Sequence, residues 1–471
     1  MYIEFEFDGS LLKGISLVAF EECWLKDKKV AVHNDIKDAF QTVDIPDIHT
    51  TFFDLEIGET EDFVRAGQDV TLIDRVYFTN LKPGLEYTVN GTIKVKETGE
   101  DFKDAEGNAY ITTVVFTPKT SAGYVDVQFI VNTSLVAGKT LVAFETLDYK
   151  GITLVTHADI EDVDQTVHVP EIKTTATDAD NGTHTFTYKE RVTIIDTVAY
   201  ENLIPGKTYV VTGTLYNVAT GKVYTDIEGK TYTAAVEFTP DKAIGTVNVV
   251  FKDVLVPYTK TEIVVFEDLS YKDKNIKIAT HADITDKEQT VERPTAGTTA
   301  TINGNKEVWL ASTEVRNLTI TDTIAYTGLQ VGTLYRAEAT LFKADGTQIL
   351  VSGQPLKSIV EFTPTTKDGS VEVNITFSTE GLSEGDRLVV FEKVYDVATE
   401  TEIAAGTQVN ELLIARHEDL TDSDQTVIVH FRPTTGEITP SYMYIGAGLV
   451  ALSVLMTVFI FRRKKRSISA D

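Results

Sequence analysis

The stretch His157-Ala-Asp-Ile-Glu-Asp162-Val-Asp-Gln165-Thr-Val-His-Val169 occurs in four related versions along the chain. Each keeps a His, an Asp five residues on and a Gln eight residues on: His33/Asp38/Gln41, His157/Asp162/Gln165, His281/Asp286/Gln289 and His417/Asp422/Gln425. Successive Gln residues are 124, 124 and 136 positions apart. Nine residues after each of the first three stands a Thr: Thr50, Thr174 and Thr298. A long fixed period of this kind means tandem copies of one structural unit.

Outward from this stretch, three blocks repeat one internal order. Val70-Thr-Leu-Ile-Asp74, Val192-Thr-Ile-Ile-Asp196 and Leu318-Thr-Ile-Thr-Asp322 come first. Turn-and-strand segments follow, from Leu81 to Tyr87, Leu203 to Tyr209 and Leu329 to Tyr335. Each block then has Phe-Thr-Pro (Phe116, Phe238, Phe362) and closes on a Phe-Glu pair ending at Glu145, Glu267 or Glu392. Glu21 holds that place ahead of Gln41. The runs are short, β-branched and often alternating, with Pro-Gly and Asp-Gly between them, so they read as strands and turns. The fold class expected is all-β: tandem immunoglobulin-like β-sandwich domains in a rod, plus one C-terminal transmembrane helix. Asp74, Asp196, Asp322 and the Tyr after each Pro-Gly read as turn and core residues.

The divisions follow from the period. Residues 1–46 are expected to be the C-terminal fragment of a truncated domain, since Met1 to Phe7 matches segments deep inside later blocks. Complete repeats occupy 47–170, 171–294 and 295–430, with Pro46, Pro170 and Pro294 as punctuation. Residues 431–471 differ in kind. Tyr442 to Phe461 is a twenty-residue span without a charge, long enough to cross a hydrocarbon core of about 30 Å. The basic residues 462–466 then hold the far side in the cytoplasm and leave the upstream domains outside.

The formal net charge of −28 disfavours nucleic acid and anionic lipid headgroups as partners of the main body. The single cysteine, Cys23, leaves no internal disulfide and no Cys-based zinc site. One His and two acids per block make a thin metal site, so neither a metal nor a cofactor is expected. No Lys–Asn pairing recurs in all blocks, which disfavours isopeptide links.

Thr is a weak nucleophile and Gln a poor electrophile, so joining them needs help at both ends. A neighbouring His can take the hydroxyl proton, and a protonated carboxyl can stabilise charge on the Gln carbonyl. Two carboxyls in an apolar setting share one proton, and Glu145 with Asp162 is the expected pair. Expelled ammonia leaves an ester, made once per domain. Such an ester must stay dry, with Phe144 and Val167 as expected apolar neighbours. A hydrogen-bonded loop that only packs the last strand would preserve the same residues, and a Thr/His/Asp hydrolase would share the chemistry. Identical serial sites argue against the hydrolase, so the protein is not expected to be an enzyme with turnover.

The Val-Ala-Phe-Glu and His-x4-Asp-x2-Gln-Thr-Val motifs resemble the T-Q ester-bond domains, or VaFE repeats, of Gram-positive surface adhesins, over essentially residues 1–430. The resemblance implies a Thr on the first strand esterified to a Gln on the last. The pairs implied are Thr50–Gln165, Thr174–Gln289 and Thr298–Gln425. The helpers implied are Glu145/His157/Asp162, Glu267/His281/Asp286 and Glu392/His417/Asp422. Thr51, Thr175 and Thr299 follow each nucleophile; the family's Ile-x-Thr start favours the first of each pair, although Ala296 replaces the Ile in the third block. Glu21, His33, Asp38 and Gln41 have no upstream Thr and are expected to stay unpaired. The tail resembles a sortase sorting signal through Pro433, Thr434, Thr435 and Gly436, with Arg432 where Leu is usual. The resemblances together imply a wall-anchored stalk at the cell surface, with sortase and peptidoglycan as partners. A host extracellular ligand is the alternative, bound by the repeats themselves, with Asp101–Asn108 as a candidate loop.

Overall fold

The computed structural model describes residues 2–58, 62–311, 315–397 and 411–432. Pro433 to Gly436 and the apolar span lie outside the described residues. Among those that are described, no helix is long and apolar enough to cross a membrane.

Every regular element of more than four residues is a strand. In the first complete domain, Asp47–Asp54, Asp69–Thr79 and Gly123–Asn132 form a three-stranded antiparallel sheet with Asp69–Thr79 in the middle. A larger sheet runs Asp62–Phe63, Thr166–His168, Thr140–Tyr149, Tyr87–Val95, Ile111–Phe116, with Ile152–His157 also on Thr140–Tyr149. Alternation drives the two sheets together. Along Asp47–Asp54 the inward side chains are Ile48, Thr50, Phe52 and Asp54, and they meet Val89, Ile93, Leu141 and Leu147 of the larger sheet in one core. The second and third domains repeat the plan, with three-stranded sheets from Glu171–Asp178, Arg191–Glu201 and Gly245–Leu255, and from Thr295–Thr301, Asn317–Thr327 and Gly369–Ser378.

Residues 2–46 show two strand pairs, Ser16–Val18 with Thr42–Asp44 and Glu21–Leu25 with Lys28–His33. Phe20, Trp24, Val30 and Val32 are exposed there, because no three-stranded sheet faces them among the described residues. Cys23 is also exposed.

One backbone detail shapes the core beside the repeated Glu. Gly91 pairs with Glu145, and a Cβ on Gly91 would stand 2.9 Å from Phe129 Cζ. Gly213 opposite Glu267 is as tightly covered by Phe251. The missing side chain lets an aromatic ring from the facing sheet settle next to the Glu strand.

Candidate functional site

The His-Asp-Gln loop is built by its own side chains. Asp162 Oδ1 accepts from Asp164 N at 2.9 Å, and Thr166 Oγ donates to the Asp162 carbonyl at 2.6 Å. The same two bonds recur at Asp286/Glu288/Thr290 and Asp422/Asp424/Thr426. The spacing thus has a local reason: one Asp closes the turn with one oxygen and leaves the other free. That free oxygen meets the His. Nε2 of His157, His281 and His417 lies 3.1 Å from Oδ2 of Asp162, Asp286 and Asp422. An N–H directed from Nε2 to carboxylate fixes the neutral tautomer with a bare Nδ1 on the other side.

Backbone bonds then bring first strand and last strand together. Phe52 N donates to the Asp164 carbonyl, Ala176 N to that of Glu288 and Ala300 N to that of Asp424, each at 2.8 Å. Ala143 N, Val265 N and Val390 N donate to the carbonyls of Gln165, Gln289 and Gln425. Each Gln is therefore clamped between the strand that carries Thr and the strand that carries Glu. Pairing of Glu145 with His157, Glu267 with His281 and Glu392 with His417 completes the set.

The first Thr of each pair faces inward: Thr50, Thr174 and Thr298 are 2%, 5% and 6% exposed, whereas Thr51, Thr175 and Thr299 point to the outer face. Gln165 Nε2 donates to Glu145 Oε2 at 2.6 Å, and Gln425 Nε2 to Glu392 Oε2 at 2.6 Å. In the second domain Gln289 Nε2 contacts both Thr174 Oγ and Glu267 Oε2. Thr174 Oγ also donates to Glu267 Oε2 at 3.3 Å. Thr50 Oγ lies 3.4 Å from His157 Nδ1. The Nδ1 atoms of His281 and His417 have no hydrogen-bond partner among the described residues. Hydroxyl, carboxamide, carboxyl and imidazole are gathered at the same strand junction in all three domains, although Thr298 Oγ has no hydrogen-bond partner among the described residues.

The second carboxyl differs from the sequence expectation. Asp162 is not paired with Glu145; it sits across the imidazole, on Nε2, and about a quarter exposed. The partner of Glu145 is Asp74, which the sequence reading assigned to turn or core. Asp74, Asp196 and Asp322 are fully buried, and none of their carboxyl oxygens has a conventional hydrogen-bond partner. Each faces the Glu and Thr of its own domain closely enough to perturb them. Burial raises all six carboxyls above their ordinary values, and at Asp74, Glu267 and Glu392 the neighbouring carboxyl adds to the rise. Each pair therefore keeps a proton where isolated acids would be ionised. The signal was present in the strand: Val70, Leu72, Asp74, Val76 and Phe78 occupy alternate inward positions, so Asp74 interrupts an apolar face.

Phe144 also departs from expectation. It neighbours Glu145 in sequence, so it projects to the opposite face, where Lys94 lies over its ring. Val167 is fully buried in the core. In the fragment, His33 Nε2 is 3.0 Å from Asp38 and Gln41 Nε2 donates to Glu21, with no Thr opposite them among the described residues. No group of three metal-binding side chains occurs among the described residues.

The pattern of the T-Q ester bond containing domain matches residues 1–45, 46–169, 170–293 and 294–429. No curated protein matches the chain. Among solved structures, similarity is found to a bacterial adhesin from Mobiluncus mulieris containing intramolecular disulfide, isopeptide and ester bond cross-links. That match is 15% identical, covers 55% of this chain and 97% of the other, and has a TM-score of 0.24. The C-terminal domain of the AgI/II polypeptide BspA of Streptococcus agalactiae is 9% identical, with 50% and 98% covered and a TM-score of 0.27.

Proposed function

Because the chain belongs to the family of T-Q ester bond domains, which its four successive matches establish, we propose that it is a surface stalk whose three complete immunoglobulin-like domains each close on themselves through one Thr–Gln ester. The observation that carries this reading is the second-domain site, where the Gln289 carboxamide touches the Thr174 hydroxyl while Glu267 contacts both.

The chemistry follows from the contacts. Nδ1 of the His takes the Thr hydroxyl proton as Oγ attacks the Gln carboxamide carbon. The Asp on Nε2 holds the tautomer and steadies the imidazolium that forms. The Glu carboxyl, kept protonated by burial and its Asp neighbour, touches the leaving nitrogen and protonates it as the C–N bond breaks. The imidazolium then returns the Thr proton to the Glu carboxylate, which balances the one proton carried away in the departing ammonia. One C–O bond replaces one C–N bond, nothing is oxidised, and nucleophile and acceptor are both consumed. Each domain reacts once. The anchoring that goes with this reading is a sortase acting between Thr435 and Gly436 and joining the stalk to peptidoglycan, after membrane insertion of residues 442–461.

Intact-mass measurement tests it. Residues 47–430 of the mature chain are expected to be lighter by three ammonia molecules, one for each complete block. Gln165→Ala is expected to reduce the deficit to two. A full, unshifted mass in mature protein would defeat the reading.

One observation favours the alternative, that the repeats also bind a host protein or glycan. The outer face of the first domain's three-stranded sheet carries His49, Tyr77 and Tyr124 in one row and Arg75 with Asp126 in the next. His49 stacks on Tyr77 at 4.8 Å, and Arg75 lies over Tyr124 at 4.5 Å. The matching positions of the second and third domains hold Lys173, Ala199 and Thr246, and Gly297, Ala325 and Ser370. Tyr and Arg are the residues that dominate binding surfaces. Tyr77→Ala with Tyr124→Ala is expected to abolish retention of host extracellular-matrix extracts by the chain while leaving its mass deficit unchanged; equal retention would remove this alternative.

A further inference from the structure

The strand that carries each catalytic His is an edge strand. Among the described residues, Ile276–His281 pairs only with Thr261–Tyr271, and Glu411–His417 only with Asp386–Val397. Both contain a bulge, at Ile278 and at Ile414. A bulged edge strand has an unpaired backbone flank, yet here it carries the imidazole that the proposed reaction needs.

In both cases a loop from the preceding domain closes that edge. Ala66 N, in the loop before Asp69–Thr79, donates to the Ile278 carbonyl at 2.7 Å. Ile57 and Ala66 pack into the core of the second domain although they belong to the first. The same loop, with Ala137, walls a groove of about 560 Å³ whose far side is Thr174, His281 and Asp286. One junction later, Tyr188 N donates to the Leu413 carbonyl at 2.7 Å, and Arg416 lies over the Tyr188 ring at 5.0 Å. The bulge residues underneath are covered, Ile278 at 1% exposure and Ile414 at 0%.

We propose that the loops bearing Ala66 and Tyr188 are positioning elements for the cross-linking reaction of the next domain: each pins the edge of the strand that carries His281 or His417 and so limits how far the imidazole strays from the Thr it must reach. The inference rests on the ester reading above and adds a direction to it, each domain assisting the one that follows.

The test uses the full chain, pulse-labelled during expression and digested, with the fraction of Thr peptide joined to Gln peptide followed over time for each domain. Ala66→Pro removes the donor and is expected to slow ester formation in the second domain about fivefold, the worth of one hydrogen bond of about 1 kcal/mol, with the first and third domains unchanged. Tyr188→Pro is expected to slow the third domain alone. Ala66→Ser keeps the N–H and is expected to match the parent protein. Formation at the parent rate in the second domain of Ala66→Pro, or equal slowing of all three domains, would each overturn the proposal. Absence of any ammonia loss in the parent would instead overturn the ester reading on which it rests.

Discussion

Thr174→Val is expected to convert the second domain from a mechanically locked unit into one that unravels under load. Valine keeps the β-branched shape that the strand requires and removes only the nucleophile. The proposed Thr174–Gln289 link would span 115 residues. Cross-linking a loop of roughly that size restricts the unfolded chain by about 4–5 kcal/mol, on the relation known for disulfides. Domains of this size have only about 5–15 kcal/mol in total, so the loss is a large share of the stability. The denaturant midpoint of the second domain is expected to fall accordingly, while the first and third keep theirs. Pulling gives the sharper readout. An unlinked domain releases roughly 3.4 Å per residue, or about 400 Å for the residues inside the loop. In the parent that length is held back, because tension entering at Thr174 leaves through the ester at Gln289 without loading the strands between. A 400 Å step in the variant and none in the parent is the expected record. Equal steps in both would show that no covalent link carries the force.

The sequence carried the side chains at the two ends of the proposed link and lost part of the middle. Thr50, Gln165, Glu145 and His157 were legible because the period repeats them at fixed places, and a tandem repeat displays its own alignment. The first Thr rather than the second faces the core because Asp47–Asp54 alternates, and the alternation of Ile48, Thr50 and Phe52 is visible in the letters. Asp74 was misread for a different reason. Turn acids and buried acids look alike in a list of residues, and only the inward phase of Val70, Leu72 and Val76 separates them. Asp162 was paired with the wrong carboxyl because nearness along the chain was taken for nearness in space; the imidazole stands between them. Arg293 gave no sign at all. It occupies the place of Val169 and Val429 in the other repeats, yet it is fully buried, donates to the carbonyls of Thr187 and Lys189, and lies over the Phe186 and Tyr258 rings. The loops that cross from one domain to the next are equally silent, since their partners are set by how neighbouring domains sit and not by any local pattern.

Asp196→Asn is expected to leave the second domain folded and unlinked. Asparagine fills the same space, but its amide donates a hydrogen bond to Glu267 where the aspartate shared a proton. A donor stabilises the ionised carboxylate, so Glu267 loses the proton it must deliver to the departing nitrogen. Removing a positioned general acid costs about 10²–10⁴ in rate. Over the same labelling time the second domain should remain largely unreacted while the first and third close normally. The pH dependence carries its own sign. Burial raises Asp196 and Glu267 above the ordinary carboxyl range, so the proton is present at low and neutral pH and is lost as pH rises through the raised values. Parent ester formation should therefore decline on the alkaline side. The same linkage acts on stability before the bond forms. In Thr174→Val, stability from the pair is fully present below the ordinary carboxyl range and is lost as pH climbs towards the raised values. Adding Asp196→Asn to Thr174→Val should flatten that loss, because a single acid beside an amide ionises at less cost. If the double variant loses stability with pH as steeply as Thr174→Val, or if Asp196→Asn alone closes its ester at the parent rate, the buried pair is not the proton source.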